Sequence, residues 1–223
     1  MRKLESTVQE QLIQKRVIPV AVVDSVEDAV PLARALAQGG LPVIEITLRT
    51  PCALDCIQAI SRACPEVLVG AGTILEPSQV KAAVEAGARF GVSPGLNPEV
   101  VRAAGEQQLL FMPGVMTPSE VESALRLGCR LLKFFPADAA GGVKMLKALA
   151  GPYESAGARF VPLGGISGAN MAEYLALPVV AAVGGSWTCE RKLVREKKWA
   201  DIKALAAEAV AKAAASADIG MKN

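Results

Sequence analysis

The chain has 223 residues, enough for one α/β barrel or two small domains with a sizeable buried core. Its 24 basic and 22 acidic residues leave a formal net charge of +2, and aromatics make up only 4% of it. No basic surface or aromatic platform for nucleic acid is implied, and histidine is absent altogether. Acid–base work must then fall to carboxylate, lysine, tyrosine or cysteine. A divalent metal would need carboxylate ligands, and no tight Asp/Glu cluster at a strand end offers them, so neither a metal nor a cofactor is expected.

Residues 1–16 are charged throughout and lack the apolar centre of a signal peptide. A helix is expected over 4–14, ahead of the first strand. No apolar run approaches the ~18 residues that would span a bilayer. The expectation is a cytoplasmic protein with no membrane segment. Cys52, Cys56, Cys64, Cys129 and Cys189 are odd in number and lack paired C-x-x-C spacing, so they read as small buried residues rather than zinc ligands.

Short apolar runs recur at 17–23, 43–48, 67–69, 90–92, 109–112, 131–135, 160–163 and 179–183. Between them lie segments of helical periodicity, among them 26–38, 53–63, 78–86, 118–127 and 145–150. Glycines stand just before the next strand at Gly39-Gly40, Gly87, Gly128 and Gly157, where a left-handed residue ends a helix. Ala86-Gly87-Ala88-Arg89-Phe90 returns as Ala156-Gly157-Ala158-Arg159-Phe160, as expected of one βα unit used repeatedly. Strands hydrophobic along nearly their whole length imply a parallel sheet buried on both faces. Eight such units predict an α/β fold, a (β/α)8 TIM barrel, as a single domain over 1–223 with an extra N-terminal helix within 1–16. The last helix is expected over 199–213, with a frayed tail at 216–223. The basic run 192–198 reads as a solvated helix approach.

Barrel chemistry sits at the C-terminal ends of strands. In the second strand, alternation puts Glu45, Thr47 and Arg49 on one face and Ile44, Ile46 and Leu48 on the other. With the apolar set under the helices, Glu45 faces the axis at depth and Arg49 the mouth. The same parity turns Leu131, Lys133 and Phe135 inward in the sixth strand. Burial disfavours the ammonium form of Lys133, and a neutral amine attacks carbonyls. A stem laid on apolar surface with its head in water is the other reading of that stretch, and a buried Glu45–Lys133 ion pair is the structural one. Strands seven and eight end in Gly164-Gly165 and Gly184-Gly185-Ser186, glycine pairs that let backbone N–H groups approach an anion where barrels commonly hold phosphate.

Taken together, Glu45-x-Thr-x-Arg49-Thr, Gly70-Ala-Gly-Thr73, Lys133-Phe-Phe-Pro-Ala, Gly164-Gly165-Ile and Gly184-Gly185-Ser186-Trp run in order from about 17 to 187. They resemble the 2-keto-3-deoxy-6-phosphogluconate (KDPG) aldolase family, which includes 4-hydroxy-2-oxoglutarate (KHG) aldolases. The resemblance implies a class I, metal-independent lyase, usually a homotrimer, of the Entner–Doudoroff pathway, acting on a small phosphorylated 2-keto-3-deoxy sugar acid. It matches Lys133 to the Schiff-base lysine and Glu45 to the general acid/base. It matches Arg49 and Thr73 to the pyruvate carboxylate, and Pro94 and Phe135 to the walls of the pyruvyl pocket. Gly164, Gly165, Gly184, Gly185 and Ser186 match the phosphate end. Leu163 departs from the pattern, because the gluconate members usually carry threonine there. Two other functions share part of these features. A phosphate-binding barrel isomerase, epimerase or transferase needs the glycines but not the lysine. A non-catalytic sugar-phosphate-binding barrel needs Glu45 and Lys133 only as a buried pair.

Overall fold

The computed structural model describes the backbone of residues 3–220 and the side chains of residues 7–216. Its strands in chain order are β1 (Val17–Ala21), β2 (Val43–Thr47), β3 (Leu68–Gly72), β4 (Phe90–Val92), β5 (Leu110–Met112), β6 (Gly114–Val115), β7 (Leu131–Phe134), β8 (Arg159–Pro162) and β9 (Val183–Gly185). Every pairing among them is parallel. One ladder runs β5-β4-β3-β2-β1-β9 and a second runs β6-β7-β8. Single bridges Phe160↔Val180 and Leu163↔Gly184 join the second ladder to the β9 side. The result is an α/β fold with a curled parallel sheet.

Strands expected from composition differ from the observed ones in two places, each for a local reason. The run at 109–112 continues past Pro113, which has no N–H to give to a ladder, so pairing stops there and resumes as β6 beside β7. The run at 179–183 forms a regular strand only from Val183 onward, with Val180 held by a single bridge. Helix ends follow the glycines: Gly40, Gly87, Gly128 and Gly157 have φ of 91°, 98°, 87° and 76°, whereas Gly39 stays at −81°. The helix Pro118–Arg126 starts with Pro at its first position and a reciprocal Thr117–Glu120 capping box.

The last helix is longer than its periodicity implied. It runs Trp199–Gly220, because the alanine-rich stretch after 210 contains no breaker before Gly220. Residues 216–220 of the expected frayed tail are therefore helical, and 221–223 lie outside the described residues. Part of the basic run forms the short helix Arg191–Arg195. No helix among the described residues is long and apolar enough to cross a membrane.

Side-chain parity places the site. Ile44 and Ile46 of β2 and Leu132 and Phe134 of β7 belong to the outer core under the helices. Val43 and Leu131 belong to an inner core with Ile18, Leu68, Phe90, Leu110 and Met112, and Phe135 packs against it. Val8 and Leu12 of the helix Lys3–Lys15 join that inner core. Most inner residues come from the N-terminal halves of their strands. Burying each large one contributes about 1.5–3 kcal/mol. The apolar fill ends midway along the strands, and the next inward positions are Glu45, Thr47 and Lys133.

Candidate active site

A cavity of about 670 Å³ opens at the C-terminal ends of the strands. Its floor carries Glu45 and Lys133, which are 2% and 6% exposed. Glu45 lies between Val20 of β1 and Gly70 of β3, and Lys133 between Gly114 of β6 and Val161 of β8. Parity and strand pairing thus bring both head groups to one space. Neither side chain takes part in a hydrogen bond or an ion pair with any of the described residues. The Lys133 ammonium position lies 4.6 Å from the centroid of the Phe135 ring. The two head groups are therefore not in ion-pair contact, although each feels the other's charge.

Burial sets their charge. Desolvation lowers the proton affinity of Lys133, and the Glu45 carboxylate opposes this only in part. Desolvation raises Glu45 above the ordinary carboxylate range, against the pull of Lys133. Burial thus pushes each group in the direction of its neutral form, with the other's charge opposing it. The carboxyl has room because β3 carries Gly72 there: a Cβ at Gly72 would overlap the Glu45 carboxylate. Cys189 also faces the cavity, but burial pushes its thiol up to about 12, so it is neutral and no base.

Around the mouth the remaining expected residues fall into two groups. Arg49, Thr73 and Pro94 follow β2, β3 and β4 and line one side with Phe135. Arg49 is exposed and sits in a turn, because β2 ends at Thr47, whose hydroxyl donates to the Ala21 carbonyl at 3.2 Å. Thr73 has φ of 60°, a left-handed conformation that a β-branched residue rarely adopts. It is flanked by fixed backbone, Leu48 N–H to the Gly72 carbonyl at 2.8 Å and Ile74 N–H to the Val92 carbonyl at 3.1 Å. Strain of this kind, about 1–3 kcal/mol, persists where the surroundings dictate it, and such places cluster at functional sites.

Gly164 and Gly165, which follow β8, line the other side with Gly185, the last residue of β9, and Ser186 after it. Gly164 and Gly165 have φ of 92° and 81°, and a Cβ at Gly165 would overlap Asp138. Gly184 does not line the cavity. It lies behind Leu163, whose Cγ would be 2.7 Å from a Cβ at Gly184. Leu163 is 5% exposed and forms part of the cavity wall.

Other lining groups were not anticipated. Glu190 and Arg191 follow β9, and Arg191 is bound by Asp24, which follows β1. The Arg191 Nε donates to Asp24 Oδ2 at 2.9 Å and Nη2 donates to Oδ1, while Arg195 Nε donates to Oδ2 at 2.7 Å. Hydrogen bonds from Arg191 and Arg195 hold the Asp24 carboxyl well below the usual carboxylate range. These partners are about 170 residues apart in sequence, and no local pattern marks them. Among the described residues, no group of three or more Cys, Asp or Glu side chains could hold a metal ion.

A curled parallel sheet with a polar cavity at its C-terminal edge, floored by an unpaired amine and a carboxyl group, defines an α/β enzyme equipped for carbonyl chemistry. Comparison with known proteins narrows the class. The family model "KDPG and KHG aldolase" matches residues 8–205, and the chain belongs to that family. It is 45% identical over 210 residues to the KHG/KDPG aldolase of Escherichia coli (strain K12), covering 94% of this chain and 98% of the relative. A crystal structure of KDPG aldolase from Legionella pneumophila, with pyruvate captured at low pH as a covalent carbinolamine intermediate, has a TM-score of 0.86 at 42% identity. That match covers 90% of this chain and 96% of the other. The KDPG aldolase of Zymomonas mobilis ZM4 with 3-phosphoglycerate has a TM-score of 0.84 at 40% identity, covering 95% and 96%.

Proposed function

We propose that this protein is a class I aldolase that cleaves KDPG to pyruvate and glyceraldehyde 3-phosphate. The same site would cleave 4-hydroxy-2-oxoglutarate to pyruvate and glyoxylate. The observation that carries this reading is Lys133, nearly buried and without a hydrogen bond or ion pair among the described residues, on the floor of a cavity it shares with Glu45. A lysine held for structure alone would have a partner.

The chemistry follows from the two neutral groups. The Lys133 amine adds to the 2-keto carbon and its proton passes to the oxygen, giving a carbinolamine. Glu45 gives its proton to the departing hydroxyl, which leaves as water; an iminium ion and a carboxylate remain. The Glu45 carboxylate then takes the 4-hydroxyl proton. The C3–C4 bond breaks, its electrons pass to the iminium nitrogen, and the aldehyde leaves. Glu45 returns the proton to C3 of the enamine. Water adds to the new iminium with Glu45 accepting its proton, and collapse frees pyruvate and the neutral amine. One carboxyl serves every step because each moves a proton near the same carbons.

Arg49 offers a planar fork to the substrate carboxylate, with Thr73 beside it. Pro94 and Phe135 wall the pyruvyl end. The turns at Gly164–Gly165 and Gly185–Ser186 take the phosphate, whose binding energy helps orient the reacting carbons. Gly184 acts in this scheme by making room for Leu163. We also propose that the curled sheet closes as an eight-stranded (β/α)8 barrel of one domain over 1–223, with the extra N-terminal helix covering its bottom through Val8 and Leu12. The bridges from β8 to the β9 side and the contacts of β5 with β7 support closure. The family resemblance supports a cytoplasmic homotrimer.

The test is cleavage of KDPG, with pyruvate followed through lactate dehydrogenase and NADH, in wild type and Lys133→Arg. Wild type should produce pyruvate. Lys133→Arg should not, because a guanidinium stays protonated. Equal rates in both would end the lysine account.

A further inference from the structure

Arg191 is the feature of the cavity that the aldolase scheme leaves without a task. It lines the same space as Ser186 and Gly165. Its position round the mouth is fixed by the sheet. β9 lies between β1, through Val17↔Val183 and Pro19↔Gly185, and β8, through the Leu163↔Gly184 bridge. Ser186 and Arg191 follow β9, Asp24 follows β1, and Gly164–Gly165 follow β8. These groups therefore share one side of the mouth, away from Thr73 and Pro94, which follow β3 and β4.

The guanidinium is also held. Asp24 accepts from Nε and Nη2, which fixes the plane of the group and leaves Nη1 without a partner among the described residues. Arg195 gives the same Asp24 a second guanidinium, so Asp24 does not neutralise the pair. Glu190, also on the cavity wall, would repel a phosphate, and Arg191 is the adjacent charge that offsets it. A guanidinium already anchored by a carboxylate loses less freedom when it binds an anion than a free one would. Guanidinium groups match phosphate oxygens in planar, charge-assisted hydrogen bonds.

Resting on the aldolase reading, we propose that Arg191 is a further binding residue for the substrate's phosphate, and that Asp24 is the positioning residue that presents it. The glycine turns offer backbone N–H groups, and Arg191 adds the side-chain charge on that side. The consequence is selectivity: this contact favours a phosphorylated sugar acid over the same acid without its phosphate. Arg191 is 46% exposed, so its contribution is discounted for solvent screening. Its loss should cost about 5- to 10-fold on the phosphorylated substrate.

The experiment compares kcat/KM for KDPG and for 2-keto-3-deoxygluconate in wild type, Arg191→Gln, Asp24→Asn and Arg195→Gln. Arg191→Gln should lower the phosphorylated-to-unphosphorylated ratio about 5- to 10-fold, through KM. Asp24→Asn should lower it in the same direction by less, again through KM for the phosphorylated acid. Arg195→Gln removes an equal charge from outside the cavity wall and should shift the ratio least. Equal losses on both substrates, or an equal shift in Arg195→Gln, would overturn the assignment. If wild type cleaves neither substrate, the aldolase reading itself fails. Calorimetric titration of inorganic phosphate into wild type and Arg191→Gln then decides the phosphate contact separately: weaker binding in the variant upholds it, and equal binding refutes it.

Discussion

Replacing Gly72 by alanine tests the placement of Glu45 while leaving both proposed catalytic residues, Glu45 and Lys133, unreplaced. Gly72 has no positive φ, so its backbone accepts alanine. The new methyl would overlap a Glu45 carboxylate oxygen and lie 2.6 Å from Cδ and 2.8 Å from Cγ. Glu45 must give way, and the open direction is toward the cavity. Twisting a side chain off its rotamer costs about 0.5–1.5 kcal/mol, and overpacking a tight site costs about 1–3 kcal/mol. The fold should survive with a stability loss of that order. Catalysis should suffer more, because moving a reacting group by about 1 Å can cost about 100-fold in rate. Gly72→Ala should therefore cleave KDPG about 100-fold more slowly, with its urea midpoint only modestly lowered, and should still trap pyruvate on long incubation. Wild-type turnover in this variant would mean that the working proton carrier is not the Glu45 carboxyl in its observed place.

Three further outcomes follow from the same geometry. Glu45→Gln should exchange the methyl protons of pyruvate with D2O far more slowly than wild type by proton NMR; undiminished exchange would assign the base elsewhere. Leu163 stands on the cavity wall, where an apolar group discriminates weakly between hydroxyl configurations. Leu163→Thr should widen the kcat/KM ratio of the gluconate over the galactonate epimer by up to about 1–2 kcal/mol, and an unchanged ratio would place selectivity at another strand end. Lys133→Met removes an amine whose proton affinity is lowered on folding. Between that lowered value and the unfolded lysine value of about 10.4, the unfolded chain binds the extra proton. Wild-type stability should accordingly rise relative to Lys133→Met from pH 7 to pH 10 in urea titrations. A constant gap would show that Lys133 keeps its ordinary proton affinity.

Much of this site could be read from the chain because it depends on period-two alternation. Ile44 and Ile46 beside Glu45, and Leu132 and Phe134 beside Lys133, fix which face each strand turns outward, and the two core clusters divide along that line. Alternation stops being informative where a strand stops. Arg49 reaches the cavity from a turn, and Gly184, counted with the phosphate loop by motif, lies behind Leu163. The need for glycine at 72 depends on the carboxylate of the neighbouring strand, a contact visible only once β2 and β3 are paired. The left-handed Thr73 carries no composition signal, since its residue type argues against that conformation. The Asp24–Arg191–Arg195 cluster joins the two ends of the chain through the pairing of β1 with β9, beyond the reach of any local pattern.

The central claim is that Lys133 forms the covalent bond to pyruvate. Its most direct measurement is borohydride reduction of wild type, Lys133→Ala and Lys144→Ala in the presence of pyruvate, followed by intact mass and peptide mapping. Lys144 serves as the comparison because it lies outside the cavity lining. The account predicts one reduced pyruvyl adduct in wild type and in Lys144→Ala, mapped to Lys133, and none in a folded Lys133→Ala. An adduct of undiminished yield in Lys133→Ala, or one mapped to another lysine in wild type, would contradict it.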